Sequence, residues 1–116
     1  MPPRTKPPAN LFGRRLREAR QRAGVPQDKL GVAIGLDETT ASARISRYET
    51  GVHEPPMDVS KRIAQTLGVL PPYFYCEDDD LAELIVAWGQ LTQIDRASVK
   101  EAVLALLDEE QSRSAV

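Results

Sequence analysis

The sequence has 116 residues, with 41% hydrophobic and 28% charged side chains and a formal net charge of −2. This length and balance predict one ordinary globular domain with a modest apolar core. No apolar run approaches the roughly 18 residues of a membrane span, and the single cysteine, Cys76, excludes an internal disulfide and argues against a metal site. We therefore expect a cytoplasmic protein that has no cofactor and no membrane association.

The charge is divided unevenly along the chain. Residues 1–57 carry ten lysines and arginines against six acidic residues, a net charge of +4, whereas residues 58–116 carry five against eleven, a net charge of −6. A basic half attracts phosphate and an acidic half is repelled by it. The distribution favours nucleic acid as a partner of the first half, although a basic run such as RRLREARQR can equally be a solvated helix surface.

The chain begins with MPPRTKPPAN, which is basic and rich in proline and predicts a flexible arm over residues 1–9. Asn10 is a candidate N-cap for a first helix, which ends before Gly24. This helix has an apolar stripe at i, i+4, i+7 and i+11, made of Phe12, Leu16, Ala19 and Ala23.

Two further helices follow the first. Pro26 suits the first turn of a second helix that ends before Gly35. A third helix ends before Gly51, and its apolar residues Ala41, Ile45 and Tyr48 lie at i, i+4 and i+7. The rest of this third segment is polar, which predicts a helix with one broad exposed face.

The second half of the chain also predicts helices and no strand. A fourth helix covers about residues 56–67, and LPPYFY forms one short helical turn. Two C-terminal helices follow and form a helical hairpin over residues 76–110, which we expect to mediate dimerisation, with a disordered tail over residues 111–116. The expected dimer interface consists of Leu81, Leu84, Ile85, Trp88, Val103 and Leu107.

Several short motifs in the first 75 residues resemble a known family. They are the RxxxG end of the first helix, the glutamine that starts the second, the block ISRYETG and the block IAQTLGV. In this order and at nearly the family spacing, they resemble the DNA-binding domain of the Cro and phage-repressor type, the Xre family of helix-turn-helix transcriptional regulators. The resemblance covers about residues 11–74. It implies an all-α fold, in which a five-helix lambda-repressor-like helix-turn-helix bundle over residues 10–75 is followed by the two C-terminal helices.

The resemblance also implies a role for individual residues. The third helix is the recognition helix, which lies in the major groove of DNA. An arginine there is suited to guanine, because its planar fork spans the O6 and N7 acceptors and contributes about 1–3 kcal/mol of discrimination. The implied base contacts are Thr39, Thr40, Ser42, Ala43, Arg44 and Arg47, the phosphate contacts are Gln27, Ser46 and Arg17, and the structural ion pair is Arg20 with Glu49.

Ile45 follows Gly35 by ten positions, instead of the six of the family spacing, so this chain has four extra residues. They lie within the segment DETTASA, at the start of the recognition helix. A helical turn takes about 3.6 residues, so four extra residues shift the helix phase by only about 40°. The insertion can lengthen the helix, with Asp37 as its N-cap and Thr39 and Thr40 near the DNA. It can also lengthen the turn before a helix of normal length. We favour the lengthened helix.

The combined pattern predicts a sequence-specific regulator that binds double-stranded DNA, most simply a homodimeric repressor of a palindromic operator. Two other functions remain open: an antitoxin whose C-terminal region binds a toxin, and a protein-interaction module without DNA binding. We do not expect an enzyme, because His53 is the sole histidine and no catalytic serine or cysteine arrangement is visible. No small-molecule ligand is indicated.

Overall fold

The fold is described from a computed structural model that covers residues 7–115. These residues form six α-helices and one short 3₁₀ helix, and none of them forms a strand. The all-α prediction is therefore confirmed. The helices are α1 (Leu11–Ala23), α2 (Gln27–Ala33), α3 (Ala41–Thr50), α4 (Met57–Leu67), the 3₁₀ helix (Pro71–Tyr75), α5 (Asp79–Gln90) and α6 (Gln93–Ser114). Most of the predicted N-terminal arm, residues 1–6, lies outside the described residues.

Local capping sets both ends of α1. The side chain of Asn10 accepts a hydrogen bond from the backbone N–H of Gly13 at 2.8 Å, which satisfies one of the free donors at the helix start. Gly24 ends the helix in the left-handed region at φ 69°, where a residue without a Cβ is favoured. The basic side chains in the last turn, Arg20 and Arg22, complement the negative end of the helix dipole.

The apolar stripes of α1 to α4 meet in one core that the 3₁₀ helix closes. Phe12 of α1 lies with its ring centroid 5.0 Å from that of Phe74. From α5 the core includes Ala82, which is 1% exposed. The largest fully buried apolar side chains are Tyr73, Phe74, Leu16, Leu30, Ile45 and Ile63. We call residues 10–75, which form this bundle, the head.

Helices α5 and α6 form a C-terminal helix pair that extends from the head, and the molecule measures 62 by 28 by 28 Å. The two helices make few contacts with each other, so they do not form the closely packed hairpin that the sequence predicted. Within α6 no residue is buried. Residues 111–114 continue α6 as helix, although we expected a disordered tail from residue 111; the exposed i,i+3 pair Glu110–Arg113 supports this last stretch. Among residues 7–115, no helix is both long enough and apolar enough to cross a membrane.

The close approach of α1 to α3 gives a stability prediction at Gly13. Glycine in a helix ordinarily costs about 1 kcal/mol relative to alanine. Here a Cβ at Gly13 would overlap the backbone carbonyl of Glu49, which cannot rotate away as a side chain would. We expect Gly13→Ala to lower the free energy of unfolding by about 2 kcal/mol, measured by urea denaturation.

Gly89 of α5 is the matched control for this substitution. It also lies in a helix, but a Cβ there would be 3.4 Å from the nearest atom, the Cγ of Leu70. Gly89→Ala should therefore leave stability unchanged or raise it. Equal stability of the two variants would show that α1 and α3 are not in close contact at Gly13.

Candidate nucleic-acid interface

Helix α3 is anchored along one face and exposed along the other. Ala41 and Ile45 are 0% exposed and Tyr48 is 4% exposed, so these side chains fix the helix against the head. Helix α2 packs closely on its start, because a Cβ at Gly31 would lie only 2.5 Å from the Cβ of Ala41. The exposed face of α3 carries Ser42, Ala43, Arg44 and Arg47.

The insertion lengthens the turn, so our preference for a lengthened recognition helix is wrong. Helix α3 begins at Ala41. The Asp37 carboxylate accepts hydrogen bonds from the backbone N–H of Thr39 at 2.9 Å and from its hydroxyl at 2.8 Å. The N–H of Thr40 donates to the carbonyl of Asp37 at 3.1 Å and closes the turn. This local bonding by aspartate competes with helix formation, and β-branched threonine is a weak helix former.

The inserted turn is acidic and exposed. Both hydrogen bonds from Thr39, first the backbone N–H and then the hydroxyl, stabilise the ionised form of Asp37 and lower the pKa of its carboxyl. Glu38 is exposed in the same turn. Thr40 stands in the N-cap position of α3, but its side chain makes no capping hydrogen bond. The turn thus places two hydroxyls and two carboxylates at the N-terminal end of α3.

A buried carboxylate, Glu49, ties three parts of the head together. Glu49 is 0% exposed, and its Oε1 lies 2.6 Å from Nε of Arg20, so the expected structural ion pair is present in the structure. The side-chain amide of Gln27 donates to the Oε2 of Glu49 at 2.7 Å. The Nε of Arg17 lies 3.6 Å from the same oxygen. Helices α1 and α2 are therefore linked through Glu49 to the end of α3.

Two of the residues expected to contact phosphate are engaged inside this network. The Gln27 carbonyl oxygen accepts a hydrogen bond from the Ser42 hydroxyl at 3.2 Å, in addition to the Glu49 contact of its amide. The Arg17 side chain is only 14% exposed, and its Nε and one terminal nitrogen are buried without a hydrogen-bond partner. Arg17 must therefore reorient before its guanidinium can bind phosphate. The third residue, Ser46, is half-buried on α3.

Arg44 and Arg47 differ from the other arginines of residues 7–115. Each of the others donates a hydrogen bond or forms an ion pair within the chain; they are Arg14, Arg15, Arg17, Arg20, Arg22, Arg62, Arg96 and Arg113. The side chains of Arg44 and Arg47 are exposed and form neither kind of contact with a described residue. Their guanidinium groups are therefore fully available to an external acceptor.

Five of the six residues expected at a dimer interface line one apolar groove between α5, α6 and the 3₁₀ helix. The groove has a volume of about 600 Å³. Leu84 is 64% exposed and Val103 is 57% exposed, which leaves large apolar surfaces in water. Leu81, Leu84, Ile85, Trp88 and Val103 line the groove, and Leu107 lies one helical turn beyond Val103 and is 49% exposed.

Sequence reasoning missed parts of both surfaces. Leu70 and Pro72, which line the apolar groove from the 3₁₀ helix, are not part of any helical stripe. The hydrogen bond between Ser42 and Gln27 joins two helices and has no local signal either. The turn at Asp37 was detectable, because an aspartate two residues before threonine is a typical start of a side-chain-stabilised turn.

Comparisons with known proteins agree with this geometry. Residues 11–72 match the model of a helix-turn-helix domain family. The chain belongs to the helix-turn-helix domain family. Among solved structures, it is similar to the one described as the crystal structure of transcriptional regulator BswR. The two share 41% sequence identity at a TM-score of 0.80, and the match covers 84% of this chain and 96% of that one. No curated protein matches the chain.

Within the helix-turn-helix domain, the matched segment includes α1 to α4 and reaches the start of the 3₁₀ helix. The recognition helix of such a domain is the second helix of its helix-turn-helix pair, which here is α3. The similarity to BswR extends further along the chain, since 84% coverage exceeds the length of the domain. The C-terminal helix pair is therefore at least partly shared with that structure.

Proposed function

We propose that this helix-turn-helix protein is a transcriptional regulator of the Cro and phage-repressor type. As a homodimer it binds a palindromic operator through the major groove and represses transcription by occupying it. The observation that carries the proposal is the pair of exposed, uncommitted arginines on α3. The similarity to a solved structure described as a transcriptional regulator supports the same function.

Base reading depends on the rigid placement of α3. Buried Ala41, Ile45 and Tyr48 fix the helix, so Arg44 and Arg47 are presented from a backbone that is already ordered before DNA binds. Preorganisation lowers the entropy cost of forming each contact. Arg47 is the principal candidate for a bidentate contact to guanine, and Arg44 reads a neighbouring position or its phosphate. Ser42 and Ala43, exposed in the first turn of α3, lie against the adjacent bases.

Thr39 and Thr40 belong to the turn before the recognition helix and not to the helix itself. They lie in the turn before α3, where Thr39 donates to the carboxylate of Asp37 and the Thr40 hydroxyl donates to its backbone carbonyl. Carboxylates repel phosphate, so this turn disfavours close approach to the DNA backbone. We infer that the turn lies over the open groove and makes base contacts without phosphate contacts.

The proposed phosphate contacts come from residues beside the exposed face of α3. The Gln27 side chain is held by Glu49 and Ser42, which leaves its backbone N–H at the start of α2 as the group that faces phosphate. Ser46 and a reoriented Arg17 add contacts along α3 and α1. Because the acidic second half of the chain is repelled by phosphate, the C-terminal helix pair points away from the DNA.

The exposed apolar surface of the C-terminal helix pair supports dimerisation. Among the residues of α5 and α6, only Ala82 is buried, whereas Leu84, Val103 and Leu107 are at least 49% exposed. Burying a leucine or valine side chain contributes about 1.5–3 kcal/mol. A second copy that covers this surface places two heads on one duplex. Such heads read half-sites about 34–36 Å apart, which explains why the operator is expected to be palindromic.

The test begins with selection of bound sequences from random duplex DNA, followed by binding measurements at several salt concentrations. Affinity for the selected operator should exceed that for random duplex by at least about a thousandfold. The logarithm of the binding constant should fall linearly with the logarithm of salt concentration, because bound phosphates release counterions. An affinity that does not depend on salt, or that is equal for operator and random duplex, would contradict the proposal and favour a protein-interaction module.

Arg47→Ala should weaken binding of the dimer to the operator by at least about 30-fold, because each of the two half-sites loses a bidentate contact of about 1–3 kcal/mol. It should also relax the preference at one base pair in each half-site, measured by repeating the selection with the variant. Arg113→Ala removes the same charge from the far end of α6, where Arg113 is paired with Glu110, and should leave the preference unchanged. An unchanged preference in Arg47→Ala would exclude Arg47 from base reading.

A further inference from the structure

The joint between the head and the C-terminal helix pair contains a buried arginine. Arg15 of α1 is 3% exposed. Its Nε and one terminal nitrogen donate to the backbone carbonyl of Cys76 at 3.0 and 2.8 Å, and the same terminal nitrogen lies 2.8 Å from the carboxylate of Asp79. Cys76 follows the 3₁₀ helix and Asp79 begins α5. One side chain of the head therefore holds the whole linker from residue 76 to residue 79.

We propose that Arg15 is a positioning residue that fixes the direction in which α5 leaves the head and thereby sets the distance between the two operator half-sites that a dimer accepts. The inference rests on the proposed function, since it requires dimerisation through the C-terminal helix pair.

The contacts of Arg15 attach α5 to the head and also fix the direction of the α5 axis. A guanidinium is a rigid planar fork that binds acceptors only in fixed directions. Turning α5 relative to the head would separate the fork from the Cys76 carbonyl, the Asp79 carboxylate or both. In such an arrangement the buried cation would keep only the Glu18 carboxylate of its own helix, 3.4 Å from its other terminal nitrogen, so turned arrangements are penalised. The guanidinium carbon also lies 5.5 Å from the ring centroid of Tyr73, which holds it from the head side.

Apart from that of the exposed Arg14, the other contacts between α5 and the head are apolar and do not involve a directional hydrogen bond. Ala82 is the single buried residue of α5, Ile85 and Val86 are partly buried against the core, and α6 has no buried residue. An alanine side chain is short and nearly symmetric, so it attaches the helix without defining its rotation. The neighbouring Arg14 lies 3.4 Å from the Asp79 carboxylate but is 43% exposed, where an ion pair contributes little.

A second arginine holds the start of α6 at the end of α5. Arg96 of α6 donates to the backbone carbonyls of Trp88 at 2.9 Å and Gly89 at 3.2 Å, at the end of α5. Its guanidinium carbon lies 5.6 Å from the ring centroid of Trp88. Because Arg96 fixes α6 to the end of α5, a rotation of α5 at Arg15 also rotates α6. It therefore changes the position of the partner copy that binds these helices.

A rotation of α5 at the joint with the head displaces the dimer interface by several ångströms. Helix α5, which carries four of the expected interface residues, has 12 residues and is therefore about 18 Å long, so a rotation of about 20° moves its far end by about 6 Å. Two base pairs separate points on DNA by about 6.8 Å along the helix. A rotation of this size at the joint therefore matches the axial part of a change of two base pairs in half-site spacing, which also turns one half-site by about 70° about the DNA axis.

The experiment measures binding of full-length dimers to duplexes in which the two selected half-sites are moved one or two base pairs closer together or further apart. For the unchanged protein, moving a half-site by two base pairs should reduce affinity by about tenfold or more. In Arg15→Met, which keeps an unbranched side chain but has no fork, the same change should reduce affinity by about threefold or less. The ratio between spacings does not depend on the fraction of folded protein, so loss of stability alone cannot imitate this result.

Two further variants complete the test. Arg15→Lys keeps the charge but cannot bind two acceptors with a planar fork, and it should also flatten the spacing profile; it takes the place of Arg15→Met if that variant does not fold. Arg22→Met is the matched control, because Arg22 lies on the same helix but bonds the Tyr73 hydroxyl at 3.0 Å and not the linker. A dimeric Arg15 variant with the unchanged spacing profile would overturn the inference and leave the proposed function intact. A monomeric wild-type protein, or one without a spacing preference, would overturn both.

Discussion

Replacing Leu84 and Val103 together by glutamate should convert the protein from a dimer to a monomer. The two side chains are 64% and 57% exposed in the apolar groove of the single chain, so charges there cost the fold of one copy little. In a dimer the same charges would be buried without partners, which is strongly unfavourable. Light scattering at micromolar protein concentration measures the mass directly.

The same double substitution should weaken operator binding without changing base preference. Two linked heads bind one duplex more tightly than a single head by a factor of about 10² to 10⁴, because the second contact is intramolecular. Loss of the dimer should remove this factor, whereas selection should still recover the same half-site sequence. Met57→Glu, at an exposed position of the head on α4, is the control and should remain dimeric. A double variant that is still a dimer would show that the partner copy binds elsewhere.

Glu49→Gln should destabilise the head by about 3 kcal/mol, measured by urea unfolding, because it leaves buried cationic groups without their counter-charge. Glu49 is 0% exposed, and the side chains of Arg17 and Arg20 are only 14% and 13% exposed. The glutamine has nearly the same shape, so the effect reports on charge and not on packing. It can also accept only one of the hydrogen bonds from Arg20 and Gln27 with the carbonyl oxygen that it keeps.

Glu110→Gln provides the comparison for Glu49→Gln. Glu110 forms an ion pair with Arg113 one turn away on α6, and both side chains are 68% exposed. Exposed pairs of this kind contribute little, so the unfolding midpoint should not change. If Glu49→Gln were as stable as Glu110→Gln, the Glu49 network would not connect α1, α2 and α3 in the way that its distances indicate.

Most of the head was predictable because its signals are local. Asn10 and Gly24 mark the ends of α1 through contacts that involve only neighbouring residues. Ile45 and Tyr48 follow the helical period, and both are buried where that period places them. The pairing of Arg20 with Glu49 is not local, and it was expected from family resemblance instead of from any pattern in the chain.

The inserted turn was mispredicted because two local effects compete there. Helix phase allowed either arrangement, since four extra residues shift it by only about 40°. The hydrogen bonds from Thr39 to the Asp37 carboxylate favour the turn. A helix extended to Asp37 would place Asp37 one turn before Ala41, on the same face of the helix. This is the face on which α2 packs, where a Cβ at Gly31 would lie only 2.5 Å from the Cβ of Ala41.

Residue periodicity, capping and charge were thus sufficient for the all-α class, the order of the helices and the exposed basic face of α3. They could not reveal that Gln27 is held by Glu49 and Ser42, or that Arg15 binds a linker more than sixty residues away in sequence. The reason is physical. Helical stripes and caps arise from neighbours within one or two turns, whereas a buried charge finds its partners only after separate helices have packed.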